Sequence, residues 1–144
     1  MAIPSSSALP FTQWPPGPRR FLRLSIAGGP RAPARARAWL QNAAAWLPDE
    51  LEANLLLLTS ELINNSVRHG RVNESDVIDI EVRATADGVR ARVSDPGPGF
   101  VPRERAGAIE DPGGWGLVLV DRLAERWGVD NDERTSVWFE LARS

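Results

Sequence analysis

The chain has 144 residues, of which 42% are hydrophobic, and this is the size and composition of a single domain with one sizeable core. It contains no cysteine and one histidine, which excludes a disulfide framework, a thiol nucleophile, a cysteine-ligated zinc site and a multi-histidine metal site. The net charge of -2 hides an asymmetry, because residues 1–48 contain six arginines and no acidic side chain. Such a segment can dock an acidic partner or form a solvated face. Because these arginines are dispersed and not interleaved with aromatic residues, we expect no direct nucleic-acid binding.

The first residues differ in composition from the rest. Residues 1–18 are rich in Ser and Pro and predict a flexible arm in front of one domain over residues 19–144. The arm lacks the charged start and apolar run of a secretory signal, and no stretch approaches the ~20 apolar residues of a membrane span. The sequence therefore predicts a soluble, cytoplasmic protein without membrane attachment.

Hydrophobic periodicity predicts the first three elements. Residues 20–27 alternate between apolar and polar side chains and predict a strand. Apolar residues recur at helical spacing over residues 32–47, and Pro48 ends that helix. A second helix begins near Glu50, behind a start that resembles a capping box, and runs to Gly70.

Two alternating segments then predict an antiparallel pair with one solvated face. They span residues 77–84 and 89–95 and are joined by a tight turn at Asp87-Gly88. The period of two places Asp95 on the buried side, where a carboxylate needs a partner. The pattern alone leaves open whether Asp95 caps the following turn or binds a ligand.

Glycine-rich segments follow this pair. Gly97 and Gly99 carry no Cβ, so a ligand can approach the backbone closely there. Residues 100–113, which include Arg103 and Arg105, show no regular period and predict a short lid.

A last helix and a hairpin complete the chain. Gly114 and Gly116 precede an amphipathic helix over residues 117–125, whose N-terminus would present free amide groups to an anion. Residues 127–131 and 135–141 predict a final hairpin.

One pair of side chains changes the character of the second helix. Glu61 and Asn65 are four residues apart, so on a helix they lie one above the other. Both can contact the same small ligand, such as a hydrated metal ion with a reacting water. Taken alone, the pair can equally be a solvated polar stripe.

These motifs, taken in chain order, resemble the GHKL superfamily of ATP-binding domains, and the similarity extends from about residue 19 to residue 141. The motifs are Glu61 and Asn65 on a helix, Asp95-x-Gly97-x-Gly99 after a strand, and Gly114-x-Gly116 opening a helix. The resemblance implies a two-layer α/β sandwich in which helices cover one face of a mixed, largely antiparallel sheet. ATP would bind between the helices and the sheet.

Within this superfamily the chain looks like the anti-sigma-factor serine kinases. The similarity lies in the runs over residues 61–70 and 114–121. Those proteins bind an RNA polymerase sigma factor and phosphorylate a serine on a small anti-anti-sigma protein. The resemblance thus implies both of these partners, the cofactors ATP and Mg²⁺, and a homodimer.

The resemblance also implies a role for each motif. Asn65 would hold Mg²⁺, Glu61 would act as general base on the acceptor hydroxyl, and Asp95 would accept a hydrogen bond from the adenine amine. The implied ATP-binding residues are Asn65, Asp95, Gly97, Gly99, Gly114, Gly116 and Leu117. Arg103 and Arg105 are candidate phosphate contacts.

One segment departs from the family pattern. Members often carry a basic residue and a Ser or Thr just before the second glycine motif, whereas this chain has Asp111-Pro112-Gly113. The departure favours an alternative function, a nucleotide-responsive binding module that sequesters its partner without transferring phosphate. The intact Glu61 favours the kinase.

Overall fold

A computed structural model describes residues 21–69, 71–85, 87–96, 112–131 and 133–143, with only the backbone described at 112–116. The predicted arm and most of the predicted lid lie outside these ranges. Five strands and three helices occur in the order β1 (Phe21–Ala27), α1 (Ala32–Ala43), α2 (Asp49–Arg68), β2 (Val77–Ala84), β3 (Gly88–Asp95), α3 (Pro112–Leu123), β4 (Arg126–Asn131) and β5 (Thr135–Ala142). No helix in these ranges is long and apolar enough to cross a membrane.

The five strands form one sheet in the order β1-β2-β3-β5-β4. Each neighbouring pair in this order is antiparallel. The predicted α/β class is confirmed. The sheet was expected to be mixed and largely antiparallel, and its described part is antiparallel throughout. Strand β3 is central, so residues 89–94 are paired with β2 on one side and with β5 on the other.

Strand alternation decides which face of the sheet is buried. Along β3 the side chains of Val89, Ala91 and Val93 are buried, whereas Arg90 and Arg92 are half-buried on the opposite face. The buried face packs against the helices to form the core, and the opposite face is polar and charged. This is the two-layer sandwich that the sequence predicted.

Helix α2 is the centre of the helical layer. Its 20 residues present a buried leucine stripe, and it contacts α1, α3, β3 and β5. The stripe consists of Leu51, Leu55, Leu58 and Leu62. The predicted capping-box start is wrong, because Pro48 occupies the N-cap position, Asp49 is already helical, and no side chain caps the N-terminus. Acidic residues in the first turn still interact favourably with the helix dipole.

Two predicted helix boundaries are also wrong. Helix α1 ends at Ala43 instead of residue 47, and a turn closed by a hydrogen bond from Leu47 N to Ala44 O follows it. Residue 47 precedes a proline and is biased away from helical geometry. Helix α3 runs over Pro112–Leu123 instead of residues 117–125. A proline is tolerated at the first helical position, so Pro112 begins this helix instead of excluding it.

The β2–β3 turn generates a stability prediction. A Cβ at Gly88 would lie 1.8 Å from the carbonyl oxygen of Leu141 on the neighbouring strand, so Gly88→Ala requires a backbone shift. We expect this substitution to lower the free energy of unfolding by about 1–3 kcal/mol or more, measured by urea denaturation. Thr85→Ala in the same turn is the control and should change it by less than about 0.5 kcal/mol. Equal midpoints for the two variants would contradict the close approach.

Candidate functional site

The polar pair on α2 lies where the sequence predicted it. Glu61 and Asn65 are one turn apart in the C-terminal half of the helix, and both are half-buried. The two residues that directly follow Glu61, Leu62 and Ile63, are buried in the core. The pair therefore borders the buried stripe of α2 and does not face open solvent.

Asp95 is the last residue of β3, and only 6% of its surface is exposed. Its side chain lies on the buried face of the sheet, which confirms the prediction made from strand alternation. Ser66 on α2 donates a hydrogen bond from Oγ to Asp95 Oδ2 at 2.5 Å. Hydrogen bonds from a hydroxyl to a carboxylate are short and strong. This hydrogen bond joins the end of β3 to α2 at Ser66, the residue that directly follows Asn65.

A third buried polar side chain lies opposite Asp95. Thr135, the first residue of β5, is its direct partner in the β3–β5 ladder and is also buried. Sequence reasoning identified neither Ser66 nor Thr135 as part of the site. The signal for Thr135 was available, because the start of the last predicted strand must pair with the end of a strand that runs the opposite way.

The second glycine motif occupies a different place from the one predicted. Because α3 begins at Pro112, Gly114 lies in its first turn, where backbone N–H groups have no partner within the helix, and Gly116 lies beyond that turn. Leu117 is buried and belongs to the core. Their contacts with ATP remain predictions.

The remaining predicted site residues lie outside the described ranges. They are Gly97, Gly99, Arg103 and Arg105. The site that the structure does describe therefore consists of the C-terminal half of α2, the end of β3 and the start of β5. It places a carboxylate and an amide on a helix beside a buried carboxylate on the adjoining sheet.

Comparison with known proteins identifies the family. A family model described as the histidine kinase-like ATPase domain matches residues 28–141, which is more than half of the chain and includes Glu61, Asn65 and Asp95. The chain belongs to the histidine kinase-like ATPase domain family. No curated protein sequence matches it.

A solved structure shares the fold of this histidine kinase-like ATPase domain. It contains the RsbU and RsbW domains of Rv1364c from Mycobacterium tuberculosis, and it superposes with a TM-score of 0.64 at 21% sequence identity. The match covers 85% of this chain and 32% of that one. The chain thus spans about a third of the longer protein, and at this identity the likeness establishes the fold.

The contact between Ser66 and Asp95 generates a test of the site geometry. Ser66→Ala removes a donor from a buried carboxylate, and we expect it to lower the free energy of unfolding by about 1–3 kcal/mol. The matched control is Ser60→Ala on the same helix, because Ser60 Oγ is buried without a hydrogen-bond partner among the described residues. That variant should be neutral or slightly stabilising, since Ala is the better helix former.

A double-mutant cycle isolates the pair. Urea denaturation of Ser66→Ala, Asp95→Ala and the double variant should give a coupling energy of about 0.5–3 kcal/mol. Additive effects of the two substitutions would show that the hydrogen bond does not hold the helix to the strand.

Proposed function

We propose that this domain is an ATP-dependent protein-serine kinase that acts as an anti-sigma factor. It would phosphorylate a serine on a small anti-anti-sigma protein and sequester an RNA polymerase sigma factor. The observation that carries the proposal is the Ser66–Asp95 hydrogen bond, which brings a buried carboxylate of the sheet to the helix that bears Glu61 and Asn65. The family match and the resemblance of the motif over residues 61–70 support it.

Asp95 suits recognition of adenine. A buried carboxylate accepts hydrogen bonds, and the exocyclic amine of adenine donates one. Guanine presents a carbonyl oxygen at the same position, which a carboxylate repels. The contact from Ser66 to Oδ2 fixes the orientation of the Asp95 carboxylate, so the acceptor is positioned before the nucleotide arrives.

The side chain of Asn65 is suited to binding a hard cation such as Mg²⁺. Its amide oxygen is a ligand type that Mg²⁺ accepts, and Mg²⁺ sites at phosphates use few protein ligands together with water and phosphate oxygens. Among the described residues no three His, Asp or Glu side chains are grouped as metal ligands. Asn65 would thus hold Mg²⁺ in the presence of ATP, and the ion would neutralise phosphate charge.

Glu61 lies one helical turn from Asn65 and is the candidate general base. It would accept the proton of the serine hydroxyl as the serine oxygen bonds to the γ-phosphorus and the bond to the departing ADP breaks. A carboxylate within hydrogen-bond reach of the hydroxyl is sufficient for this role, and no covalent enzyme intermediate is required.

The second candidate is a binding module that responds to nucleotide without transferring phosphate. The segment Asp111-Pro112-Gly113 favours it, because α3 begins at Pro112 and no Ser, Thr or basic residue stands at these three positions. Incubation of the domain with labelled ATP and an anti-anti-sigma protein encoded by a neighbouring gene separates the two functions. Label on a serine of that protein supports the kinase, whereas nucleotide-dependent binding without label supports the module. We propose a homodimer for either function.

Glu61→Ala tests the assignment of the general base. Phosphate transfer should fall by roughly 10²–10⁴-fold, while ATP binding is retained, because a general base acts in the transition state. Label transfer and calorimetric ATP affinity measure the two effects. Glu52→Ala, also on α2 but in its first turn, is the control and should transfer phosphate at the wild-type rate. Undiminished transfer by Glu61→Ala would remove Glu61 from the mechanism.

Asp95→Ala tests adenine recognition. Loss of a hydrogen bond to a charged group should weaken ATP binding by roughly 10- to 150-fold and reduce the preference for ATP over GTP. Asp95→Asn places an amide hydrogen-bond donor at this position and should reduce the preference for ATP over GTP further. Calorimetric titration of both nucleotides measures this, with circular dichroism as the folding control and Asp130→Ala on the opposite face of the sheet as the matched carboxylate deletion. A folded Asp95→Ala variant that binds ATP as tightly as wild type would place the adenine site elsewhere.

A further inference from the structure

An arginine from the β4–β5 turn reaches across the polar face of the sheet to the end of β3. A single nitrogen of Arg134, Nη2, donates hydrogen bonds to the carbonyl oxygens of Val77 at 2.8 Å and Ser94 at 3.1 Å. The same nitrogen lies 3.4 Å from Asp79 Oδ2. One side chain thus connects the β4–β5 turn to the start of β2 and to the residue directly before Asp95.

The pairing of β2 with β3 explains why an arginine is needed there. Opposite residues in an antiparallel ladder alternate between hydrogen-bonded and non-hydrogen-bonded pairs. Thr85 N donates to Gly88 O at 2.8 Å, so the hydrogen-bonded pairs recur every second residue from that turn. Asp79 and Ser94 form one of these pairs.

If the same alternation continued beyond Asp79 and Ser94, the next hydrogen-bonded pair would join Val77 to Pro96. Proline has no N–H and cannot donate to the Val77 carbonyl. The ladder accordingly stops at Asp79 and Ser94. The guanidinium of Arg134 donates to the Val77 carbonyl in place of the missing backbone group, and it also contacts the last paired carbonyl of β3.

We propose that Arg134 is a positioning residue for the nucleotide site. Its hydrogen bonds replace the missing backbone bond between β2 and β3 at the point where the chain leaves β3. They thereby fix the backbone that carries the Asp95 carboxylate. This inference rests on the proposed role of Asp95 in adenine recognition. Arg134 acts from the face of the sheet opposite the helices and would not itself touch the nucleotide.

The hydrogen bonds to carbonyl oxygens, and not the ion pair, should carry this effect. The Arg134 and Asp79 side chains are 36% and 26% exposed, and ion pairs with that much solvent access contribute little. A hydrogen bond from a charged donor to a carbonyl whose backbone donor in the β2–β3 ladder is replaced by a proline contributes more. Asp79→Asn should therefore leave nucleotide affinity within about twofold of wild type.

The test compares Asp79→Asn with three further variants by calorimetric titration of ATP and GTP. Arg134→Met keeps the apolar stem and removes the donors, and we expect it to weaken ATP binding roughly 3- to 10-fold and to narrow the preference for ATP over GTP. Arg134→Lys should restore most of the affinity, because one nitrogen makes all three contacts and an ammonium can replace it. Arg92→Met is the matched control, since Arg92 lies on the same face of β3 and pairs with Asp130 on β4.

A second measurement needs no nucleotide. The Asp95 amide faces β5, because successive residues of a central strand bond to opposite neighbours. Its hydrogen exchange, followed by NMR on the free protein, should accelerate about tenfold in Arg134→Met and remain unchanged in Arg92→Met.

The outcomes separate this inference from the proposed function. If wild type binds no ATP while exchange at Asp95 still depends on Arg134, the proposed function fails and the structural link stands. If ATP binding depends on Asp95 but neither affinity nor exchange responds to Arg134→Met, the positioning role is overturned. Equal loss of affinity in the Met and Lys variants also overturns it, because packing rather than hydrogen bonding would then be responsible.

Discussion

The hydrogen bond between Ser66 and Asp95 is the contact on which the site depends. The core between the described helices and the sheet is apolar, and apolar contacts do not specify direction, whereas this hydrogen bond joins two particular atoms at 2.5 Å. Asp95 is only 6% exposed, and a buried carboxylate needs such a donor to offset the loss of water. Once the contact forms, the position of α2 along its axis and the end of β3 are fixed relative to each other. The spacing of Glu61 and Asn65 from Asp95 follows from that.

The sequence could predict those features of the site that depend on residues within a single helix or strand. Strand β2 was predicted with its observed bounds, and strict alternation along β3 was sufficient to place Asp95 on the buried side. The spacing of Glu61 and Asn65 on α2 was equally clear, because a helix fixes the relation between residues four apart. Each of these predictions used a period within one element.

Features that depend on packing between elements could not be predicted in the same way. Ser66 is one more polar residue near the end of a helix, and its partner lies 29 residues away on a strand. Nothing local distinguishes Arg134 from any other turn residue, and its role follows only from the register of the β2–β3 ladder, which ends one hydrogen-bonded pair before Val77 and Pro96. The start of α3 was missed for a different reason: Pro112 and the glycines after it indicate irregular structure locally, although a proline is compatible with the first turn of a helix.

The reach of Arg134 across the sheet has a thermodynamic consequence. Its side chain lies on the face that the helices leave uncovered and contacts the carbonyl oxygen of Ser94, whereas the next residue, Asp95, points to the other face. A contact made on one face is therefore one residue away from a side chain on the other. Under the proposed role of Arg134, a molecule that binds the uncovered face and favours one arrangement of this side chain would change the affinity for nucleotide. By linkage, nucleotide would change the affinity for that molecule by the same factor. If Arg134 positions Asp95 as proposed, the sheet would couple two opposite surfaces reciprocally, and this coupling would require no movement of the helices.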